Sequence, residues 1–230
     1  MLMKKTESRR LPHGILLLYE DRDLLVIDKP AGLLSIASGT ERDKTAYWIL
    51  AGYLSKKGEK RRPAAVHRLD RDTSGVMVFA KSEMVKKKLM AHWDETVTQR
   101  RYVALAEGEF TENEGVIDAP LGEDAGGRMV VKKDGKPSVT RWKLLKSGKG
   151  YSLLCLELET GRRNQIRAHL SFLGHPVAGD IKYQARSNPA KRLCLHAEHI
   201  SLHHPANDRL MEFDSPLPGS FKSVFNAKSP

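Results

Sequence analysis

Side chains able to do chemistry concentrate in three short stretches of this 230-residue chain: His67-Arg68-Leu69-Asp70-Arg71-Asp72-Thr73-Ser74-Gly75, Arg101-Tyr102, and Gly161-Arg162-Arg163-Asn164-Gln165-Ile166-Arg167-Ala168-His169. Asp70 is the centre of the first. A carboxylate beside an arginine stays ionised, and an ionised carboxylate can act as nucleophile or base; Asp70 with Arg167 would be such a pair. A carboxylate nucleophile suits reaction at a sugar anomeric carbon, where an oxocarbenium-like state has to be stabilised. Each residue also has a plain structural reading. A lone Asp flanked by arginines is most often a surface ion pair. His67 can bond the backbone, Thr73 and Ser74 are turn formers, and a strand tyrosine such as Tyr102 commonly packs. The chain contains no P-loop, no Gly-x-Gly-x-x-Gly after a strand, no His-Glu-x-x-His and no Gly-x-Ser-x-Gly, so those chemistries are not indicated.

The elements that must hold these residues are legible in outline. Apolar runs at Ile15 to Tyr19 and Leu24 to Asp28, split by Glu20-Asp21-Arg22-Asp23, read as two strands and a turn. Lys29-Pro30-Ala31-Gly32 ends the second, and Ala46 to Leu54 suits a buried helix. Ser55 to Arg62 is a basic exposed loop, either lining a groove for phosphates or simply solvated. Val76 to Ala80 reads as a buried strand behind the Asp70 stretch, and Ser82 as the N-cap of a helix to about Trp93. Arg100 to Ala106, Gly115 to Ala119 and Tyr151 to Glu159 are strand-like. Met129 to Lys133 and Ser138 to Leu145 flank Asp134-Gly135 and read as a hairpin. The third chemical stretch opens a helix that Gly174 closes, which makes a positive corner of Arg162, Arg163 and Arg167. Leu193 to Leu202 is a further strand, carrying His196 and His199. Runs of strands with few, scattered helices predict an α+β fold with a mixed, largely antiparallel sheet. A single domain is expected over residues 13–222, between a polar N-terminal arm, 1–12, and a C-terminal tail, 223–230.

Composition narrows the partners. The 39 Lys+Arg against 28 Asp+Glu leave a net charge of +11, which favours a polyanion such as nucleic acid. Cys155 and Cys194 lie far apart, outside any Cys-x-x-Cys spacing, and read as reduced cytosolic thiols. The histidines show no metal-ligand spacing. No stretch approaches a membrane span.

The Asp70 stretch resembles the His-Arg-Leu-Asp-x-x-Thr-Ser-Gly signature of the RluA family of pseudouridine synthases. Val26-Ile27-Asp28-Lys29-Pro30-Ala31-Gly32-Leu33 resembles the family's first motif, and Arg101 to Leu105 the segment holding its site tyrosine. Gly161 to His169 and Gly174 to Asp180 resemble its third motif and the segment after it, while Leu195-His196-Ala197 and Ser215 to Pro218 fit its C-terminal end. The likeness runs in order over about residues 13 to 222. It implies the family's catalytic fold around a basic cleft, and a reaction without cofactor or metal. In that reaction the N-glycosidic bond of an RNA uridine breaks, the uracil rotates, and it rejoins through carbon. Carried over, Asp70 is the nucleophile, Tyr102 packs on the target base and moves the departing proton, and Arg167 pairs with Asp70. Ile166 helps form an apolar pocket, and Arg68 fills the gap left by the flipped uridine. His67, Thr73, Arg162 and Gln165 join the substrate-binding set.

Two departures stand out: Asn164 where the family usually has His, and Ser35-Ile36-Ala37 in place of a His-containing segment. There is no room ahead of residue 13 for the S4 domain many relatives carry. The expectation is therefore a cytoplasmic monomer whose catalytic domain itself selects a tRNA or rRNA stem-loop. Two other classes fit the same cleft. One is a catalytically idle RNA-binding module; the other is a hydrolase with a carboxylate nucleophile that releases free uracil or sugar.

Overall fold

Apolar alternation and turn chemistry produce the elements in the order the sequence suggests. The computed structural model describes residues 9–39 and 41–226. Strands β1 (Arg9–Arg10) and β2 (Leu16–Glu20) lead to β3 (Leu24–Lys29). The β2–β3 reversal is held by Asp21, whose Oδ1 accepts the backbone N–H groups of Asp23 at 2.8 Å and Leu24 at 2.7 Å. Thr45 caps α1 (Ala46–Lys56) by accepting the N–H of Trp48. After β4 (Ala64–Ala65) and β5 (Ser74–Ala80), Ser82 caps α2 (Glu83–Ala91) through the N–H of Val85, and α3 (Trp93–Thr96) adds one turn. Six strands follow: β6 (Val97–Glu107), β7 (Glu114–Asp118), β8 (Leu121–Glu123), β9 (Met129–Val131), β10 (Val139–Gly148) and β11 (Tyr151–Leu158). Then come α4 (Gln165–Phe172), β12 (Leu195–His203), β13 (Leu210–Asp214) and α5 (Gly219–Asn226). Gly174, at φ +81°, stops α4: its N–H bonds Ser171 and that of His175 bonds Leu170, which satisfies the last-turn carbonyls. The class is α+β, as expected. No described helix is long and apolar enough to cross a membrane.

The span read as one domain divides into two compact units. One is built from the chain up to Gln99 with Ala197–Pro216, the other from Arg100–His196 with the chain from Leu217. Most of the polar arm, residues 1–8, and the end of the tail, 227–230, lie outside the described residues; Arg9 and Arg10 pair with Leu17 and Leu16 on β2.

In the first unit the strands run β1-β2-β3-β5-β12, with β4 on β5 and β13 on β12. All seven residues of β5 are buried, the pattern of a strand covered on both faces. One face packs Val76, Val78 and Ala80 with Leu24, Val26 and the α2 residues Val85 and Leu89. At Gly75, φ is +117° and a Cβ would stand 2.1 Å from the carbonyl oxygen of Ala197, so only glycine permits this approach. The basic loop after α1 is tied down. Lys57 bonds Glu20 at 2.7 Å, and Arg61 donates to the carbonyl of Arg22. The buried Lys81 joins Glu20 at 2.9 Å to Glu59 at 2.8 Å.

In the second unit β6, β11, β10 and β7 form consecutive antiparallel pairs. The hairpin expected across Asp134-Gly135 does not form. The chain does turn there, but β9 pairs β8, while β10 pairs β11 and β7. Gly135 supplies space rather than a positive φ: a Cβ on it would lie 2.5 Å from the Leu121 carbonyl carbon. Lys136 then exchanges two backbone bonds with Leu121, so the segment is captured before it can align with β9. The unit's core joins Val103 to Ala106, Leu154, Leu156, Ile166 and Leu170 to the fully buried Phe221. The tail residues to Asn226 are thus helical, with Val224 and Phe225 on that core.

Glu20 links stability to pH. Burial raises its carboxyl, but hydrogen bonds from Lys57, Tyr53 and Lys81 outweigh this and hold it at about 2, against an ordinary 4.5. A depressed carboxylate stabilises the fold above its unfolded value and loses that contribution as pH falls through the folded one. Urea unfolding at about pH 6 and about pH 3 is expected to show a larger acid loss in the native protein than in Glu20→Gln. Equal losses would mean that the Glu20 network does not contribute.

Candidate active site

The Asp70 loop is shaped by groups that reach it from outside. Lys29 is fully buried, and its ammonium donates to the carbonyls of Pro30 at 3.0 Å, Leu33 at 2.7 Å and Arg71 at 3.0 Å. Ser35 Oγ donates to the Leu69 carbonyl at 2.6 Å and accepts the Leu69 N–H at 3.1 Å. Within the loop, the Thr73 N–H bonds the Asp70 carbonyl at 3.2 Å, and Thr73 is buried. The loop therefore leaves Asp70 half-buried and Arg68 exposed on a backbone bonded on both sides. Arg71 pairs with Glu41.

His67 is tied to the strand behind the loop. Its Nε2 accepts the N–H of Val78 at 2.9 Å, and its ring lies 5.7 Å from that of Trp93. An accepting Nε2 places the proton of the neutral ring on Nδ1. His67 thus fastens the start of the loop to β5. Thr73 likewise closes the turn beneath Asp70.

In the second unit Tyr102 lies on β6 opposite Leu156 and packs against the core cluster that contains the buried Ile166. The start of α4 is bolted to β10. Gln165 is buried: its Nε2 donates to the Val139 carbonyl at 2.9 Å and to Thr140 Oγ1 at 3.0 Å, and its Oε1 accepts from Thr160 and from the Arg162 N–H. Its amide oxygen and nitrogen are thus both engaged within the protein. His169 is fully buried between Thr140 Oγ1 and the Ala119 carbonyl, each at 2.9 Å, and burial pushes its ring below the ordinary value. Such a ring is neutral and structural.

Asn164, just before α4, is left-handed at φ +52°. Asn and His are both among the few residues enriched there, which accounts physically for Asn in place of the usual His. Arg167 donates Nε and Nη2 to Asp180 at 2.6 and 2.8 Å, and Nη1 to Asn164 at 3.2 Å. Arg162 and Arg163 line a pocket of about 520 Å³ with Lys132, Lys136, Glu123 and Asp134. Neither cysteine forms a disulfide, and burial lifts the Cys194 thiol to about 11. Among the described residues no three His, Cys, Asp or Glu groups gather as metal ligands would.

Sequence reasoning assigned no site role to Lys29, Ser35, Asp180 or Tyr183. Lys29 had a signal, because period-2 alternation puts it on the face of the buried Leu25 and Ile27. Asp180 had none, since nothing in its spacing relates it to an arginine 13 positions earlier.

A family profile described as RNA pseudouridylate synthase matches residues 23–172. The chain belongs to that family. The synthase is 37% identical over 212 residues to the RNA pseudouridine synthase YhcT of Bacillus subtilis, a match spanning 90% of this chain and 70% of the relative. It is 35% identical over 237 residues to ribosomal large subunit pseudouridine synthase D of Haemophilus influenzae, covering 96% and 72%. Among solved structures, human RNA pseudouridylate synthase domain containing 4 aligns at TM-score 0.71 and 27% identity over 91% of each chain. Human domain containing 1 shares the fold at TM-score 0.72, with 23% identity over 94% of this chain and 97% of that one. The synthase is therefore an isomerase that acts on RNA.

Ser35→Ala removes the side chain that serves both the N–H and the carbonyl of Leu69. A buried polar group left unsatisfied costs about 1–3 kcal/mol, so the urea midpoint is expected to fall with an unchanged m-value. An unchanged midpoint would mean that water replaces the hydroxyl.

Proposed function

We propose that Asp70 is the nucleophile of the uridine isomerisation, with Tyr102 stacked on the target base and Arg167 paired with Asp70. The carrying observation is the clamped loop. Its backbone is bonded at Leu69, Asp70 and Arg71, while the Asp70 carboxylate stays half-buried and Arg68 exposed. A preset carboxylate needs little reorganisation to meet an anomeric or ring carbon. Asp70 bonds the anomeric or ring carbon, the glycosidic N–C bond breaks, and the uracil turns with C5 toward the ribose; the new C–C bond forms, the bond to Asp70 is broken again and its carboxylate regenerated, and the C5 proton leaves through Tyr102. Neither uracil nor sugar is released: the C5 hydrogen passes to water and N1 takes up a proton, so the composition of the RNA is unchanged and no cofactor enters the balance.

Reaching the base requires flipping it out, and unstacking costs about a few kcal/mol. Arg68 fills the vacated place in the stack. Arg162, on the pocket wall, contacts the RNA backbone. The substrate is a stem-loop of tRNA or rRNA. The name of the Haemophilus relative, a ribosomal large subunit synthase, favours rRNA. The two thiols suit the cytoplasm, where the enzyme works as a monomer.

Asp70→Asn is expected to abolish pseudouridine formation while RNA binding stays within about twofold of native. Full turnover in this variant would sink the mechanism, and release of uracil by the native protein would favour a hydrolase. Arg68→Ala should lower turnover more than affinity; equal losses would make Arg68 a phosphate contact. Pseudouridine mapping of total RNA with and without the gene identifies the site. Affinity is also expected to fall about 10³- to 10⁵-fold between 50 and 200 mM salt if six to ten phosphates are contacted, and a flat salt profile would exclude that footprint.

A further inference from the structure

The guanidinium of Arg167 is held from three sides. Asp180 takes its Nε and Nη2 with both carboxylate oxygens, at 2.6 and 2.8 Å. Asn164 Oδ1 accepts from Nη1 at 3.2 Å, and the ring of Tyr183 lies 5.0 Å from Cζ. The holder is itself rigid. The Asp180 side chain is 1% exposed, and that of Arg167 is 13% exposed. The Asp180 N–H bonds the Val177 carbonyl, and the Asp180 carbonyl accepts the N–H groups of Tyr183 and Ala185, each of these bonds at 3.0 Å. Gly179 passes so close to Arg192 that a Cβ would lie 2.2 Å from its carbonyl oxygen. The segment therefore cannot shift without breaking several contacts at once.

A guanidinium carries five N–H groups. Two go to Asp180 and one to Asn164, so at most two, one on each terminal nitrogen, can serve a further acceptor. An arginine that must order its long side chain during reaction loses part of the advantage of proximity; one ordered beforehand does not. A bidentate carboxylate also fixes the plane of the group, which a single bond would leave free to turn.

We propose that Asp180 is a positioning residue of the synthase: with Asn164 and Tyr183 it fixes the plane of Arg167, and so fixes which N–H pair that arginine presents to the reacting centre. This rests on the role given to Arg167 above. Asp180 acts only through Arg167, so its effect disappears once a side chain without a planar fork stands at 167. Asn164 contributes a single acceptor on a left-handed backbone, a smaller part that Asn164→Gly removes while keeping the backbone conformation.

The test follows tritium release from total RNA of a strain lacking the gene, labelled with 5-tritiated uridine, because the C5 hydrogen leaves as the new bond forms. Single-turnover rates at saturating enzyme and the half-saturating enzyme concentration are measured for the native protein, Asp180→Asn, Arg167→Lys and the double variant, with thermal melts alongside. Asp180→Asn is expected to slow the saturated rate about 10²-fold with half-saturation within about threefold of native. The double variant should be no slower than Arg167→Lys alone, which is the non-additivity of two groups acting as one. Multiplied losses in the double variant, or a native rate in Asp180→Asn, overturn the positioning role. A native rate in Arg167→Lys overturns the reading of Arg167 as well, which separates the two failures. If Asp180→Asn melts below the assay temperature, Asn164→Gly decides. A slower saturated rate at an unchanged melting temperature supports the cradle, and a native rate rejects it.

Discussion

An ammonium group with none of its surface in water must be surrounded by acceptors, and at Lys29 these include the carbonyls of Pro30, Leu33 and Arg71. Desolvating a charge costs several kcal/mol, and carbonyl dipoles offset this only when all are in place. The end of β3, the turn after it and the Asp70 loop are therefore ordered together or not at all. One buried charge does what no local propensity of a polar loop could do: it makes a single conformation of residues 67–73 far better than its neighbours. Ser35 extends the same clamp to Leu69, and His67 extends it to β5.

The second unit solves the matching problem with neutral groups. Gln165, Thr140 and His169 form a closed set in which each hydrogen bond fixes the next: Thr140 accepts from Gln165 and bonds His169, while His169 reaches the Ala119 carbonyl. A fully satisfied buried network specifies one arrangement because every alternative strands a polar atom. Ile166 and Arg167 ride on the helix so anchored, one facing the core that supports Tyr102 and the other gripped by Asp180. Where the first loop is set by a charge among dipoles, this helix is set by amides and an uncharged imidazole.

Much of this is legible in the sequence alone. The Ser82 cap, the stop at Gly174 and the buried run behind Asp70 follow from local rules, because caps, positive φ and short apolar runs have causes within a few residues. Errors arose where the cause was distant. Asp134-Gly135 correctly signalled a reversal, but strand partners depend on Leu121, which bonds Lys136 and leaves β9 to β8. The hydrogen bonds of Gln165 to Val139 and Thr140, and of His67 to Val78, have equally distant causes and are not legible from the neighbouring residues. Asp180 lies in a stretch whose motif resemblance names it without saying what it holds.

The nine residues from His67 to Gly75 are attached at both ends and in the middle: His67 to Val78, Leu69 to Ser35, Arg71 to Lys29, and Gly75 against Ala197. A loop pinned at four points has no slack, so its length is as much a determinant as its composition. One residue inserted or deleted between His67 and Gly75 has to be absorbed between these pins, at Arg68, at Asp70 or over residues 72–74. Arg68 and Asp70 are the residues that meet the RNA in the proposed reaction. The stretch is thus a ruler as well as a reagent, and variation in this enzyme is far more readily accommodated in the exposed turns around Gly126 and Lys149.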